Sequence, residues 1–179
     1  MWLSKKKKIG LIALFLFGII LLAVILTHAF VNGQPKTPVT CQQVTAVLSD
    51  LGYSPSDTTS MYEKQDSNLV NSIAVETEKI RFDFFEFNND DSASNVFSHA
   101  YNQILDYRNG YTPEYGQNIE TDEYYANYRL YSLKSGGMYY LTIRVGNTAI
   151  YTYCDEDYIN ELGKILSGIG YTGDSKNAD

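Results

Sequence analysis

At 179 residues and 44% hydrophobic content, the chain has room for one ordinary domain with a buried core, plus an accessory segment. All 21 acidic residues but only ten of the 14 Lys and Arg follow Lys8, so the chain beyond that point carries a net charge close to −11. Such a balance excludes nucleic acid as a partner, because phosphate neutralisation needs clustered cations. It describes a solvated surface without naming what that surface meets.

The N-terminal stretch sets up the first expectation. Ser4-Lys5-Lys6-Lys7-Lys8 precedes an uncharged apolar run from Ile9 to Leu26. Extended to Phe30 as a helix it would rise about 33 Å, enough to cross a hydrocarbon core of about 30 Å. The run exceeds the usual apolar core of a cleaved signal peptide, and Thr27-His28-Ala29 makes a poor cleavage site. The expectation is a signal anchor over 9–30, with cleavage as the alternative. A lysine-rich end at 1–8 then stays cytoplasmic, and the rest of the chain is extracytoplasmic, tethered to the cell membrane as a single-pass protein. Two cysteines, Cys41 and Cys154, follow. In an oxidising compartment an even pair predicts a disulfide. Cys41 is not a lipoprotein cysteine, since Thr40 stands where a small residue is usual and the apolar run is distant.

Residues 31–39, with two prolines, predict a linker. From Thr40 a helix begins: Thr40 and Gln43 form a capping-box pattern, and Cys41, Val44, Val47, Leu48 and Leu51 share one face. A polar loop leads to two strands in the β-branched and aromatic segments Ser72–Glu76 and Lys79–Asn88. A second helix starts in Asp90-Asp91-Ser92, with Val96, Phe97, Ala100, Tyr101, Ile104 and Leu105 inward. Three strands follow, over Glu123–Leu133, Met138–Val145 and Thr148–Tyr153, the last two joined by a Gly146-Asn147 turn. A third helix turns Ile159, Leu162, Ile165, Leu166 and Ile169 inward. The order α-β-β-α-β-β-β-α predicts an α+β, two-layer domain over 40–172. Its sheet is mainly antiparallel, with about five strands and helices on one face. Residues 173–179 read as a disordered tail.

Three Gly-Tyr pairs, Gly52-Tyr53, Gly110-Tyr111 and Gly170-Tyr171, each follow a helical pattern. They predict helix ends, with glycine in the left-handed conformation and the next residue packing back, and not a binding repeat.

Candidate chemistry is sparse. Asp155, Glu156 and Asp157 suit a helix start, with Asp155 as N-cap. Asn88 to Ser92 resembles the opening of a calcium loop but has Ala93 where the turn needs Gly and His99 where the last ligand should be Glu. His99 projects from the polar side of its helix. No pattern calls for a cofactor or a metal ion, and no nucleophile grouping or phosphate loop is present.

The 16 tyrosines say more. Across the Gly146-Asn147 turn, Val145 opposes Thr148 and Ile143 opposes Ile150, so Leu141, Tyr139 and Cys154 join a core face. Continuing the parity through the preceding strand adds Tyr124, Ala126, Tyr128 and Leu130. The opposite face, expected to stay open, then carries Arg129, Tyr131, Tyr140, Thr142, Arg144 and Tyr151. Tyrosine and arginine anchor interfaces because they bury area and keep a polar end, so these six form the candidate partner-binding site. The competing reading is ordinary sheet surface, with the two arginines neutralising acidic neighbours.

The "SKKKK" start, "FFEFNNDDSASNVF", "RVGNTAIY" and the closing "ILSGIGY" together resemble small single-pass bacterial membrane proteins of Gram-positive type with an uncharacterised extracytoplasmic domain. The resemblance implies no activity and carries over no functional residue. The expected function is that of a non-enzymatic, membrane-tethered binding domain for a protein or cell-envelope component. The alternatives are a cell-envelope enzyme working through Asp155 or Asp157, or a small-ligand sensor subunit.

Overall fold

The computed structural model describes residues 17–22, 35–110 and 118–171. The chain divides after Gln34 into two compact units. In the first, residues 17–22 are helical and exposed. Among the described residues no helix is long and apolar enough to cross a membrane. This corrects the expected anchor over Ile9–Phe30 and, with it, the single-pass localisation. The remainder of that stretch, Lys5–Lys8 before it and the tail over 173–179 lie outside the described residues.

In the second unit, among the described residues, the elements run α1 (Cys41–Asp50), β1 (Ser56–Asp57), α2 (Thr59–Tyr62), β2 (Leu69–Glu76), β3 (Ile80–Phe87), α3 (Asp90–Gly110), β4 (Ile119–Tyr125), β5 (Tyr128–Ser135), β6 (Met138–Val145), β7 (Thr148–Asp155), a short 3-10 turn and α4 (Ile159–Gly168). The strands form one antiparallel sheet in the order β1-β2-β3-β7-β6-β5-β4. The α+β class holds, but the sheet has seven strands where the sequence predicts about five. β1 is a two-residue pairing within the polar loop. The predicted strand over Glu123–Leu133 is a hairpin, reversed at Ala126-Asn127, with Ala126 at φ +33°.

One face carries α1 and α4. Val44, Leu48, Leu162 and Ile165 pack there against Phe82, Phe84, Leu141, Ile143 and Ile150, all essentially inaccessible. Thr40 closes the expected capping box with Gln43. Gly52 (φ +85°) and Gly170 (φ +75°) terminate α1 and α4. In each case the following tyrosine N–H reaches back to the third carbonyl from the helix end, Tyr53 to Leu48 and Tyr171 to Leu166, at 2.9 Å. Gly110 instead closes α3 without a positive φ. The fully buried Tyr171 hydroxyl accepts from Val39 N–H at 3.0 Å and bonds the Thr148 hydroxyl. Asn127 brackets Lys36 with two hydrogen bonds. Residues 35–39, read as linker, are therefore docked on the domain.

The other face is covered by α3, which corrects the expectation of helices on one face only. Ala93 sits on Phe85, Phe87 and Ala149, while Phe97 and Ile104 sit on Tyr131, Leu133 and Tyr140. The helix thus crosses the sheet diagonally, from β3 towards β5. Asn89 caps its start, accepting from Ser92 N–H at 2.8 Å.

The disulfide is corrected too. Cys41 and Cys154 are both buried, free thiols. Cys41 N–H donates to Glu86 at the end of β3, whereas Cys154 pairs with Ile80 at its start. Six residues at about 3.3 Å each put those two points about 20 Å apart along the strand, well beyond the Cα separation of about 7 Å that a disulfide tolerates.

Candidate functional site

The diagonal course of α3 decides what the six predicted residues can do. Tyr131 is 2% exposed and its hydroxyl donates to Glu120 at 2.9 Å. Thr142 is fully buried, its hydroxyl donating to the Ile150 carbonyl at 3.0 Å. The Arg129 guanidinium lies 4.9 Å from the Phe97 ring centre and 5.2 Å from that of Tyr101, and pairs with Asp122 at 3.4 Å. Its Nε is buried without a partner among the described residues. Arg144 is half-buried on the next strand, opposite Arg129. Tyr131, Thr142 and Arg129 are thus taken up in packing and pairing and do not present an open surface. Tyr140 and Tyr151 line a cavity.

That cavity is a cleft of about 520 Å³ in the corner of the sheet that the diagonal helix leaves uncovered. The register builds its floor in two cross-strand rows. One row runs Arg81, Tyr153, Tyr140 over β3, β7 and β6; the next runs Asp83, Tyr151. One wall is α3 itself. Val96, Ala100, Gln103 and Tyr107 fall at spacings of four, three and four, the spacing of a single helix face. The Tyr107 ring stacks on Tyr140 with centres 4.8 Å apart. The far end is closed by Phe85, with Tyr62 of α2 packed edge-on at 5.2 Å.

The charges in the floor are already matched. Arg81 donates from Nε and Nη2 to both carboxylate oxygens of Asp83, at 2.9 and 3.2 Å, and from Nη1 to Glu76 at 3.2 Å. Asp83 is 5% exposed, so the fork of the guanidinium supplies the compensation its buried carboxylate needs. The same hydrogen bonds hold the Arg81 pKa above its ordinary value. Burial raises that of Tyr151, so its hydroxyl stays a proton donor. Both Tyr151 and Tyr153 line the cleft, and among the described residues their hydroxyls have no hydrogen-bond partner.

Asp155 and Asp157, the carboxylates of the enzyme alternative, lie outside the cleft. Asp155 pairs with Lys79 at 2.8 Å and makes no side-chain cap, while Glu156 pairs with Lys134 at 2.9 Å. His99 is exposed. The sequence reading misses Arg81, Asp83 and the α3 wall. A signal for them is present: Arg81 and Asp83 alternate with apolar residues in "IRFDFF", a charged pair in an apolar run, where burial demands that the two find each other.

No protein-family model and no curated protein matches this chain. Among solved structures it is similar to the crystal structure of a GTP binding regulator from Thermotoga maritima, at 12% identity and a TM-score of 0.39, over 76% of this chain and 92% of that one.

Proposed function

We propose that this chain is a non-enzymatic binding module whose ligand enters the cleft between α3 and the corner formed by β3, β7 and β6. The observation that carries the reading is the cleft's lining. It is concave, built from aromatic rings on rigid strands and one helix face, and its charges are already neutralised by one another. Ligand sites are commonly concave and largely apolar, with a few convergent polar groups. Both carboxylate oxygens of Asp83 are already taken up by Arg81, which favours holding a ligand over transforming it.

A ligand-observed NMR screen of small fragments tests this on the full chain. Gln103→Trp fills the cleft from the exposed side of its wall. Fragments that bind the parent chain should lose binding to the variant, whose far-UV circular dichroism should stay unchanged. Fragment binding indifferent to Gln103→Trp would overturn the assignment.

A further inference from the structure

We infer that the cleft takes an uncharged sugar of one or two rings; this deepens the binding reading above and rests on it. Charge comes first. An anion would compete with Asp83 and Glu76 for the donors of Arg81, in a chain of net charge −7. A cation would meet the guanidinium of Arg81 in the floor. Either ion must break an existing pair to be held, and removing one partner from a buried pair is expensive. An uncharged ligand breaks nothing.

Hydrogen bonding comes next. The polar groups that remain are neutral: the hydroxyls of Tyr151 and Tyr153 on the floor, and on the wall the Gln103 amide, whose Nε2 donates to the Tyr107 hydroxyl at 3.3 Å and leaves the amide oxygen and the phenol proton for a ligand. A phenol both donates and accepts, and an amide offers both kinds of group from one end. Each such group sits at the edge of a flat or extended apolar surface. A planar aromatic ligand would use the ring faces but leave the hydroxyls without partners, at a desolvation penalty. A pyranose satisfies both demands, with its C–H faces on the tyrosine rings and its peripheral hydroxyls turned to the phenols and the amide. The volume, about 520 Å³, lies within the range that accommodates small organic ligands.

The test titrates the full chain by isothermal calorimetry with maltose, cellobiose and N,N′-diacetylchitobiose, beside choline, inorganic phosphate and indole. At least one sugar should bind saturably. Tyr153→Phe, which removes only a hydroxyl, should weaken it about fivefold, and Tyr107→Ala about tenfold. His99→Ala, on the exposed side of α3, should bind as the parent does. Failure of every sugar to bind with a Kd below about 20 mM overturns the sugar assignment, as does sugar binding that neither tyrosine variant alters. If indole, choline or phosphate binds instead and Gln103→Trp abolishes it, the cleft stands and the sugar falls. If no probe binds, both fall.

Discussion

Phe97→Ala removes the ring on which α3 is seated, and the size of its effect follows from the packing around that ring. Phe97 is 2% exposed, within the cluster that includes Ile104, Tyr131 and Leu133. Truncating a buried phenylalanine destabilises by about 3–5 kcal/mol, from lost transfer energy and the cavity left behind. The ring also lies over the Arg129 guanidinium at 4.9 Å, a contact that contributes about 0.5–1 kcal/mol of that total. With an m-value near 2 kcal/mol/M, a loss of about 4 kcal/mol lowers the urea midpoint by about 2 M. A double-mutant cycle with Arg129→Met should return a coupling of about 0.5–1 kcal/mol, because in Phe97→Ala the guanidinium regains water on that side. Phe97→Leu, which keeps most of the volume, should lose less than half as much as the alanine variant. A loss below about 1.5 kcal/mol for Phe97→Ala, together with additivity in the cycle, would refute the claim that this ring anchors the helix.

The two helix-end tyrosine pairs and the thiols give two further tests. Within the α4 segment, Gly170→Ala forces a left-handed φ of +75° on a residue with a Cβ and should destabilise by about 1–2 kcal/mol, whereas Gly163→Ala, in open space inside α4, should stabilise by up to about 1 kcal/mol; thermal denaturation giving both the same sign would contradict the capping geometry. Burial raises the Cys41 thiol from 9.0 to about 12 and Cys154 to about 11. The stability owed to keeping Cys41 neutral is therefore complete below pH 9 and is lost as pH rises beyond it, by about 1.4 kcal/mol per unit until near pH 12. Urea titrations should show Cys41→Ala flattening the decline between pH 9 and 11, and a parent and variant with parallel slopes would exclude the thiol as its source.

Much of the local structure is legible in the sequence. Thr40 and Gln43 announce α1, Gly52-Tyr53 and Gly170-Tyr171 announce the ends of α1 and α4, and Gly146-Asn147 fixes the β6–β7 register, with Val145 opposite Thr148 and Ile143 opposite Ile150. Each of these is specified by residues within a few positions of one another. Parity fails one strand further on, for a local reason: Ala126-Asn127 makes a tight turn without glycine. An unseen hairpin resets the alternation, so Tyr124, expected in the core, is 69% exposed while Tyr125 joins the core side. The remaining misses are non-local. β3 pairs with β7, about 70 residues later, and nothing within either strand names the other. The side of the sheet on which α3 lands follows from that strand order, and so does the separation of Cys41 from Cys154.

Covering both faces of the sheet changes where a tyrosine-rich protein can bind. On an open face, Tyr131, Tyr140 and Tyr151 would have been equivalent, each with a ring and a hydroxyl towards solvent. Under a diagonal helix they diverge. Tyr131 spends its hydroxyl on Glu120 and its ring on Tyr101, 4.6 Å away, and becomes packing. Tyr140 is half-way, buried at 8% yet stacked on Tyr107 at the cleft wall. Tyr151 keeps a hydroxyl without a protein partner among the described residues. Tyrosine suits all three positions because its ring packs while its oxygen either bonds a neighbour, as at Tyr131, or stays available, as at Tyr151. The proposed binding surface is thus a seam between layers, and its polar groups are those the helix is too oblique to cover.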